Sequence, residues 1–354
     1  MVTDTMKLNV YKIRPNQTYH EITVREDWKK LKNRRYYEYR GLWSELPEKQ
    51  IVSNFPLHLD IEITTLCNLL CPMCPRTLMV AQNNFLNPGI MMPEDFQYII
   101  DQGATHGLYS IKLNYLGEPL VHPNIVEFVK YAKDKGIEDV MFNTNGSLLT
   151  EEISEKLLEA GLDKLFLSFD SPYKKQYEQI RFGAKYEDVL RNIKNFYKLK
   201  MKRFPHVQVR ISMVMMSDDP ELRKDFVKLF QDTADAIGFD EYRNPDNRSI
   251  KSIVHGFVCA QLYQRMFLRL NGNVGVCCAD NWGKYIVGCW KTKSLHDIWH
   301  NERYTTIRKA HVEGLYHTIP MCGVCTIPSA QDNAMRRNLS QRRLTSDSHY
   351  SCKG

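Results

Sequence analysis

The sequence predicts an α/β protein: an open, partial (β/α)6 barrel with a small hairpin-and-helix unit appended after it. Three observations carry this. Between residues 57 and 242, short apolar, β-rich segments alternate with stretches whose apolar residues recur every three or four positions. Strands and helices in such a series imply a parallel sheet with helices outside. After Cys259 the alternation gives way to a hairpin signal and then one helix.

The first 50 residues are rich in Lys, Arg and Tyr and read as a helical or irregular cover. The barrel, residues 51–250, takes its strands from 57–63, 110–115, 140–143, 164–169, 207–215 and 236–240, each short and flanked by turn residues. Its helices come from 95–102, 125–135, 150–160, 186–199 and 220–233, with Gly136 and Gly161 at two C-caps. Residues 251–330 form the appended unit. There Asn271 and Gly272 supply the turn between strands at 266–270 and 273–277, and a helix follows over 295–310. Residues 331–354 read as a basic polar tail, with Arg336, Arg337, Arg342 and Arg343. In such sheets ligands gather at the C-terminal ends of the strands.

Composition narrows the function classes. Apolar residues at 43% and charged residues at 25% are ordinary globular values. No run of eighteen apolar residues is present, and the first fourteen residues lack an apolar signal core, so a cytoplasmic protein is expected. The net charge of +7, from 48 basic and 41 acidic residues, reads mainly as a solvated surface. No aromatic-basic stacking pattern supports a nucleic-acid partner.

Ten cysteines in a reducing compartment point to metal or redox chemistry. Cys67, Cys71 and Cys74 lie just after the first barrel strand. Three thiolates on one loop can hold three irons of a 4Fe–4S cube and leave the fourth open. Structural zinc would want a fourth ligand, and the only nearby histidine is His58. Cys259, Cys277, Cys322 and Cys325 form a second set, whose spacing alone fits either zinc or a fully ligated cluster. Cys278 and Cys289 remain, as buried small residues or as thiol hydrogen donors. Cys352 reads as a tail thiol.

The Cys-x3-Cys-x2-Cys spacing after a strand resembles the radical S-adenosylmethionine (SAM) superfamily, which implies the radical SAM form of the partial barrel. The resemblance implies that SAM chelates the open iron and splits, after one-electron reduction, into methionine and a 5′-deoxyadenosyl radical. It also implies an electron donor such as a flavodoxin or ferredoxin. Met73 matches the apolar position that packs on adenine in that family. Leu116, Gly117, Glu118 and Pro119 resemble its Gly-Gly-Glu-Pro motif, with Leu116 in place of the first glycine; there the backbone and Glu118 would hold the SAM amino group. Asn145, at the end of the third strand, and Ser168 and Asp170, at the end of the fourth, fall where the family contacts SAM. Arg210 and Ser212 on the fifth would meet its carboxylate. The Leu270 to Cys278 segment and the final Cys-x2-Cys look like the SPASM/twitch extensions of the same superfamily. The cysteine count matches the shorter twitch form with one auxiliary 4Fe–4S cluster.

The cysteine spacing is closest to twitch dehydrogenases that oxidise an aminocyclitol, and related enzymes epimerise sugars. The leading expectation is therefore hydrogen abstraction from a small carbohydrate-like substrate, with the auxiliary cluster accepting the second electron. Arg243, Asp246 and Asp280 are candidate substrate contacts. Epimerisation would need a thiol donor; strand alternation directs Cys278 away from a ligating Cys277 and so favours Cys289. Peptide modification of the SPASM type is a further expectation. An iron–sulfur electron carrier or nucleic-acid-binding protein is the reading from another class.

Overall fold

The computed structural model describes residues 19–82, 88–242 and 253–328. Arg243, Asp246, Cys352 and the basic tail lie outside these residues. The barrel strands are β2 (His58–Ile61), β3 (Ser110–Lys112), β4 (Asp139–Thr144), β5 (Lys164–Ser168), β6 (Gln208–Met215) and β7 (Ala236–Glu241). They run parallel in chain order, as expected. Their crossovers carry α3 (Pro93–Thr105), α4 (Ile125–Asp134), α5 (Glu151–Glu159), α7 (Tyr186–Arg203) and α8 (Pro220–Phe230). Local chemistry sets these helix ends. The Thr150 hydroxyl caps α5 by accepting from the Ile153 N–H, and the Asp219 carboxylate caps α8 ahead of Pro220. Gly136 and Gly161 have φ of +82° and +95°, the left-handed geometry expected at those C-caps.

Two short helices were not expected: α2 (Pro75–Ala81) and α6 (Lys174–Ile180). The N-terminal cover contains an edge strand, β1 (Tyr19–Thr23), antiparallel to β7, and a helix, α1 (Arg34–Glu48). Helix α1 lies across the N-terminal end of the barrel. Its Tyr39 stacks on Tyr109 with ring centroids 5.7 Å apart, and the edge of Trp43 meets His58.

The appended unit continues the barrel's own sheet. After the single-turn helix α9 (Gln261–Gln264), strand β8 (Arg265–Leu268) pairs parallel with β2. β9 (Asn273–Gly275) and β10 (Ile286–Cys289) extend it antiparallel. The described strands form one sheet in the order β1-β7-β6-β5-β4-β3-β2-β8-β9-β10. The helix expected over 295–310 is two helices, α10 (Leu295–Trp299) and α11 (Glu302–Val312). The break has a local cause: Asn301 is extended at φ −71°, ψ 169°, and its side chain accepts from the Tyr304 N–H to start a new helix.

Strand alternation sorts the barrel into two faces. Leu59, Ile111, Phe142, Leu165, Ile211 and Ile237 are fully buried in the main hydrophobic cluster beneath the helices. The residues between them point to the lumen: Asp60, Lys112, Asn143, Phe166, Ser168, Arg210 and Ser212. No helix among the described residues is long and apolar enough to cross a membrane.

Candidate active site

The loop leaving β2 carries Cys67, Cys71 and Cys74 at the C-terminal mouth of the barrel. Its position is set by backbone. The Glu118 N–H donates to the Leu66 carbonyl at 2.8 Å. A Cβ at Gly117 would lie 2.2 Å from the Thr64 carbonyl oxygen and 2.8 Å from that of Leu66, so only glycine allows this approach. Asn145 Nδ2 donates to Asn68 Oδ1 at 3.0 Å, and the Leu70 N–H donates to the Phe182 carbonyl at 3.0 Å. The two segments read as SAM contacts at 117 and 145 are thus also the straps that hold the cysteine loop.

The donor set fits an iron–sulfur cluster. Cys71 is buried, Cys67 and Cys74 are half-buried, and the Leu69 N–H donates to Cys67 Sγ at 3.4 Å. Burial pushes the Cys67 thiol up, and pushes Cys71 up to about 11 even with the Arg181 guanidinium beside it. A cationic cluster core would offset that burial. Among the described residues no three His, Cys, Asp or Glu side chains converge to hold a single metal ion. Arg76 is also buried at this loop, with Nε donating to the Thr65 carbonyl at 2.7 Å. Asn143 Oδ1 is buried at the same mouth with no hydrogen-bond partner among the described residues, an acceptor left for a bound group.

Several predicted SAM contacts have other work. The Glu118 carboxylate is buried and accepts from Thr144 Oγ1 at 2.6 Å, the Asn145 N–H at 2.8 Å and the Leu120 N–H at 3.2 Å. Its side chain fastens the end of β4 to the motif. Asp170 pairs with Arg181 and accepts from the Val214 N–H at 2.8 Å, so its carboxylate braces the floor under Cys71. Asp280 is likewise consumed, accepting from the Lys284 and Tyr285 N–H groups of its own loop. Met73 is half-buried against the core beside Cys74. Ser168 pairs in register with Ser212, one layer nearer the cysteine loop than Arg210. Arg210 stands deeper in the lumen, 3.9 Å over the Phe166 ring and 3.7 Å from Glu21 of β1.

The second thiol set gathers at the other end. β9 runs antiparallel to β8, so Cys277 falls level with Arg265 at the start of β8, and Cys259 precedes that strand. About five residues of strand, roughly 16 Å, separate this level from the first cysteine loop. Cys259, Cys277, Cys322 and Cys325 are linked as electrostatic neighbours. Burial pushes Cys259 up to about 12 and Cys322 higher still. The Ala279 N–H donates to Cys277 Sγ at 3.3 Å. His311 is fully buried here, accepting at Nδ1 from the Cys259 N–H at 3.3 Å, with Nε2 3.5 Å from Cys322 Sγ.

The two spare thiols lie in different surroundings. β9 ends at Gly275, so strand alternation does not reach Cys277 and Cys278. The adjacent Cys277 thiol lowers the Cys278 thiol below its ordinary value. Cys278 is exposed, yet Asp60 of β2, Lys112 of β3 and Arg265 of β8 are its charged neighbours, so its exposed surface faces the lumen side of the sheet. Cys289 lies on β10 opposite Asn273, with its sulfur against Gly272 at the hairpin turn. Lys112, missed in the sequence, faces Asp60, Arg210, Cys278 and Arg265, and burial lowers its ammonium below the ordinary value. A lysine amid the apolar residues of β3 was the available signal. Tyr115 is also new: it stands 5.2 Å under the Arg269 guanidinium, with Glu62, Cys277 and Cys278 among its charged neighbours.

Comparison with known proteins places this geometry. A model of the radical SAM superfamily matches residues 61–233, and one of an iron–sulfur cluster-binding domain, SPASM, matches 259–326. GTP 3′,8-cyclase of Alkaliphilus metalliredigens is 28% identical over 57% of this chain and 64% of its own length. The probable GTP 3′,8-cyclase of Methanocaldococcus jannaschii is 35% identical over 38% and 44%. The chain thus spans about half the length of such relatives. Among solved structures, BtrN in complex with AdoMet and 2-DOIA shares the fold at TM-score 0.52 and 20% identity, over 77% of this chain and 92% of that one. Streptococcus suis SuiB bound to S-adenosylmethionine does so at TM-score 0.57 and 16% identity, over 81% and 77%.

Proposed function

Because the chain belongs to the radical SAM superfamily and carries an iron–sulfur cluster-binding SPASM domain, we propose that it oxidises a carbohydrate-like substrate held in the barrel lumen. One observation supports this most: a lumen lined by Asp60, Lys112, Arg210 and Ser212 lies between two thiol sets at opposite ends of the same strands. When bound, SAM and its cluster supply the 5′-deoxyadenosyl radical that takes a substrate hydrogen atom, and the auxiliary cluster supplies an acceptor for the electron left behind. Loss of that hydrogen atom, one electron and the hydroxyl proton turns a secondary alcohol into a ketone. The chain's own residues bind and orient. Charged and hydroxyl side chains at several heights in the lumen suit a polyol or amino sugar, whose many donors and acceptors need partners once water is excluded. Cys67, Cys71 and Cys74 would hold the first cluster, and Cys259, Cys277, Cys322 and Cys325 the second. Four thiolates leave no iron open, which suits electron transfer rather than substrate ligation.

One observation favours epimerisation as a second reading: the Cys278 thiol on the lumen surface. The two readings separate in deuterium oxide. The reconstituted protein is screened with aminocyclitols, free and nucleotide-linked sugars, GTP and peptides for substrate-dependent 5′-deoxyadenosine. Oxidation gives a ketone without solvent deuterium, made equally well by Cys278→Ala. An inverted carbon carrying deuterium, lost in Cys278→Ala, establishes the epimerase. Turnover on GTP or peptides alone would overturn both.

A further inference from the structure

We propose that His311 sets the reduction potential of the auxiliary cluster by donating a hydrogen bond from Nε2 to the Cys322 ligand. The inference rests on the reading that Cys259, Cys277, Cys322 and Cys325 hold that cluster. Helix α11 brings His311 to the thiol set, where its ring packs against two aromatic rings that also touch each other. It stacks on Tyr316 with centroids 5.5 Å apart at 25°, and Phe257 packs against it at 5.9 Å. The ring's tautomer follows from its contacts. The Cys259 N–H points at Nδ1 from 3.3 Å, so Nδ1 is the acceptor and holds no proton. The proton of a neutral imidazole must then sit on Nε2, and the atom in front of Nε2 is Cys322 Sγ at 3.5 Å. One histidine therefore bridges two ligands. It accepts from the backbone of Cys259 and donates to the sulfur of Cys322.

A hydrogen bond to a cluster thiolate stabilises the form with more negative charge. It favours the reduced cluster and raises the potential. The imidazole is buried and Cys322 half-buried, so water screens the effect only in part. This is a positioning and tuning role: His311 acts through the Cys322 ligand, and it makes the auxiliary cluster a better electron acceptor.

The test is an EPR-monitored redox titration of the reconstituted full-length protein and two variants. His311→Phe keeps a ring packed against Tyr316 and Phe257 but has no ring N–H. It should retain the wild-type iron content and the potential of the SAM-binding cluster. At a fixed applied potential, its ratio of reduced to oxidised auxiliary cluster should fall about tenfold, about 59 mV for a one-electron couple. His311→Gln, whose amide N–H can reach the sulfur, should recover part of that shift. An unchanged auxiliary potential with full iron would overturn the inference. So would loss of the auxiliary iron in both variants, which would make His311 a ligand or a structural post. The underlying reading has its own check: Cys322→Ala with undiminished auxiliary iron would remove that reading whatever His311 does.

Discussion

At the scale of single residues, the sequence names atoms whose partners it cannot show. Glu118 was legible as part of a SAM-binding motif. That its carboxylate would be taken up by Thr144, Asn145 and Leu120 was not, because two of those partners lie at the end of β4 and just beyond it. The same holds for Asp170, whose Arg181 partner comes from the end of α6. Gly117 is the clearest case of a residue type fixed by a tertiary approach. Its φ is not in the left-handed region, so neither turn geometry nor strain explains it; the Thr64 carbonyl does. Gly117→Ala must push the backbone that leads into Cys67, an overlap costing about 1–3 kcal/mol or more. The variant is expected to keep the auxiliary cluster, lose about half of the roughly eight irons of two 4Fe–4S clusters, and make no 5′-deoxyadenosine. Iron analysis with a SAM-cleavage assay checks this; full iron with normal cleavage would show that the loop tolerates displacement.

At the scale of elements, the alternation of strands and helices was legible because each barrel strand has one fully apolar face. Strand β1 escaped because its Tyr19–Thr23 run is mostly polar and depends on pairing with β7. The helix break at Asn301 escaped because apolar spacing continues through it, while the Asn301 cap, a single side chain, decides the geometry. The joint between β2 and β8 was invisible too, and it has an electrostatic signature. Burial works against the charge of Asp60, but Arg265 at 3.2 Å, aided by His58, holds its carboxyl at about 2, below the ordinary 3.8. A folded-state value below the unfolded one means stabilisation that is complete above about pH 4 and lost as the pH falls towards about 2. The gap corresponds to about 2 kcal/mol. Wild-type protein should lose that much stability across the window relative to Asp60→Asn, read from urea midpoints at several pH values. Parallel pH profiles for the two proteins would mean that the pair does not hold the joint.

At the scale of the whole molecule, the two cysteine groups were legible as two groups, and their spacing along the chain suggested a barrel plus an appendage. Their placement at opposite ends of one lumen was not legible, because it depends on β8 entering the sheet parallel to β2. This placement predicts separable roles. In Cys322→Ala/Cys325→Ala, iron should fall by about half while SAM is still cleaved, so that 5′-deoxyadenosine accumulates without matching oxidised product. The ratio of the two products, measured by mass spectrometry, checks it; a ratio equal to wild type would show that the auxiliary cluster is not the acceptor. The shared sheet has a mechanical consequence as well. Where an appendage is tethered by a loop, it can open while its neighbour stays closed. Here the ladder of amides between β2 and β8 is common to both parts, so neither end of the lumen has a seam of its own. The segment that carries the first cluster and the hairpin that carries part of the second belong to one cooperative unit, and a local opening at either is felt as loosened backbone at the other.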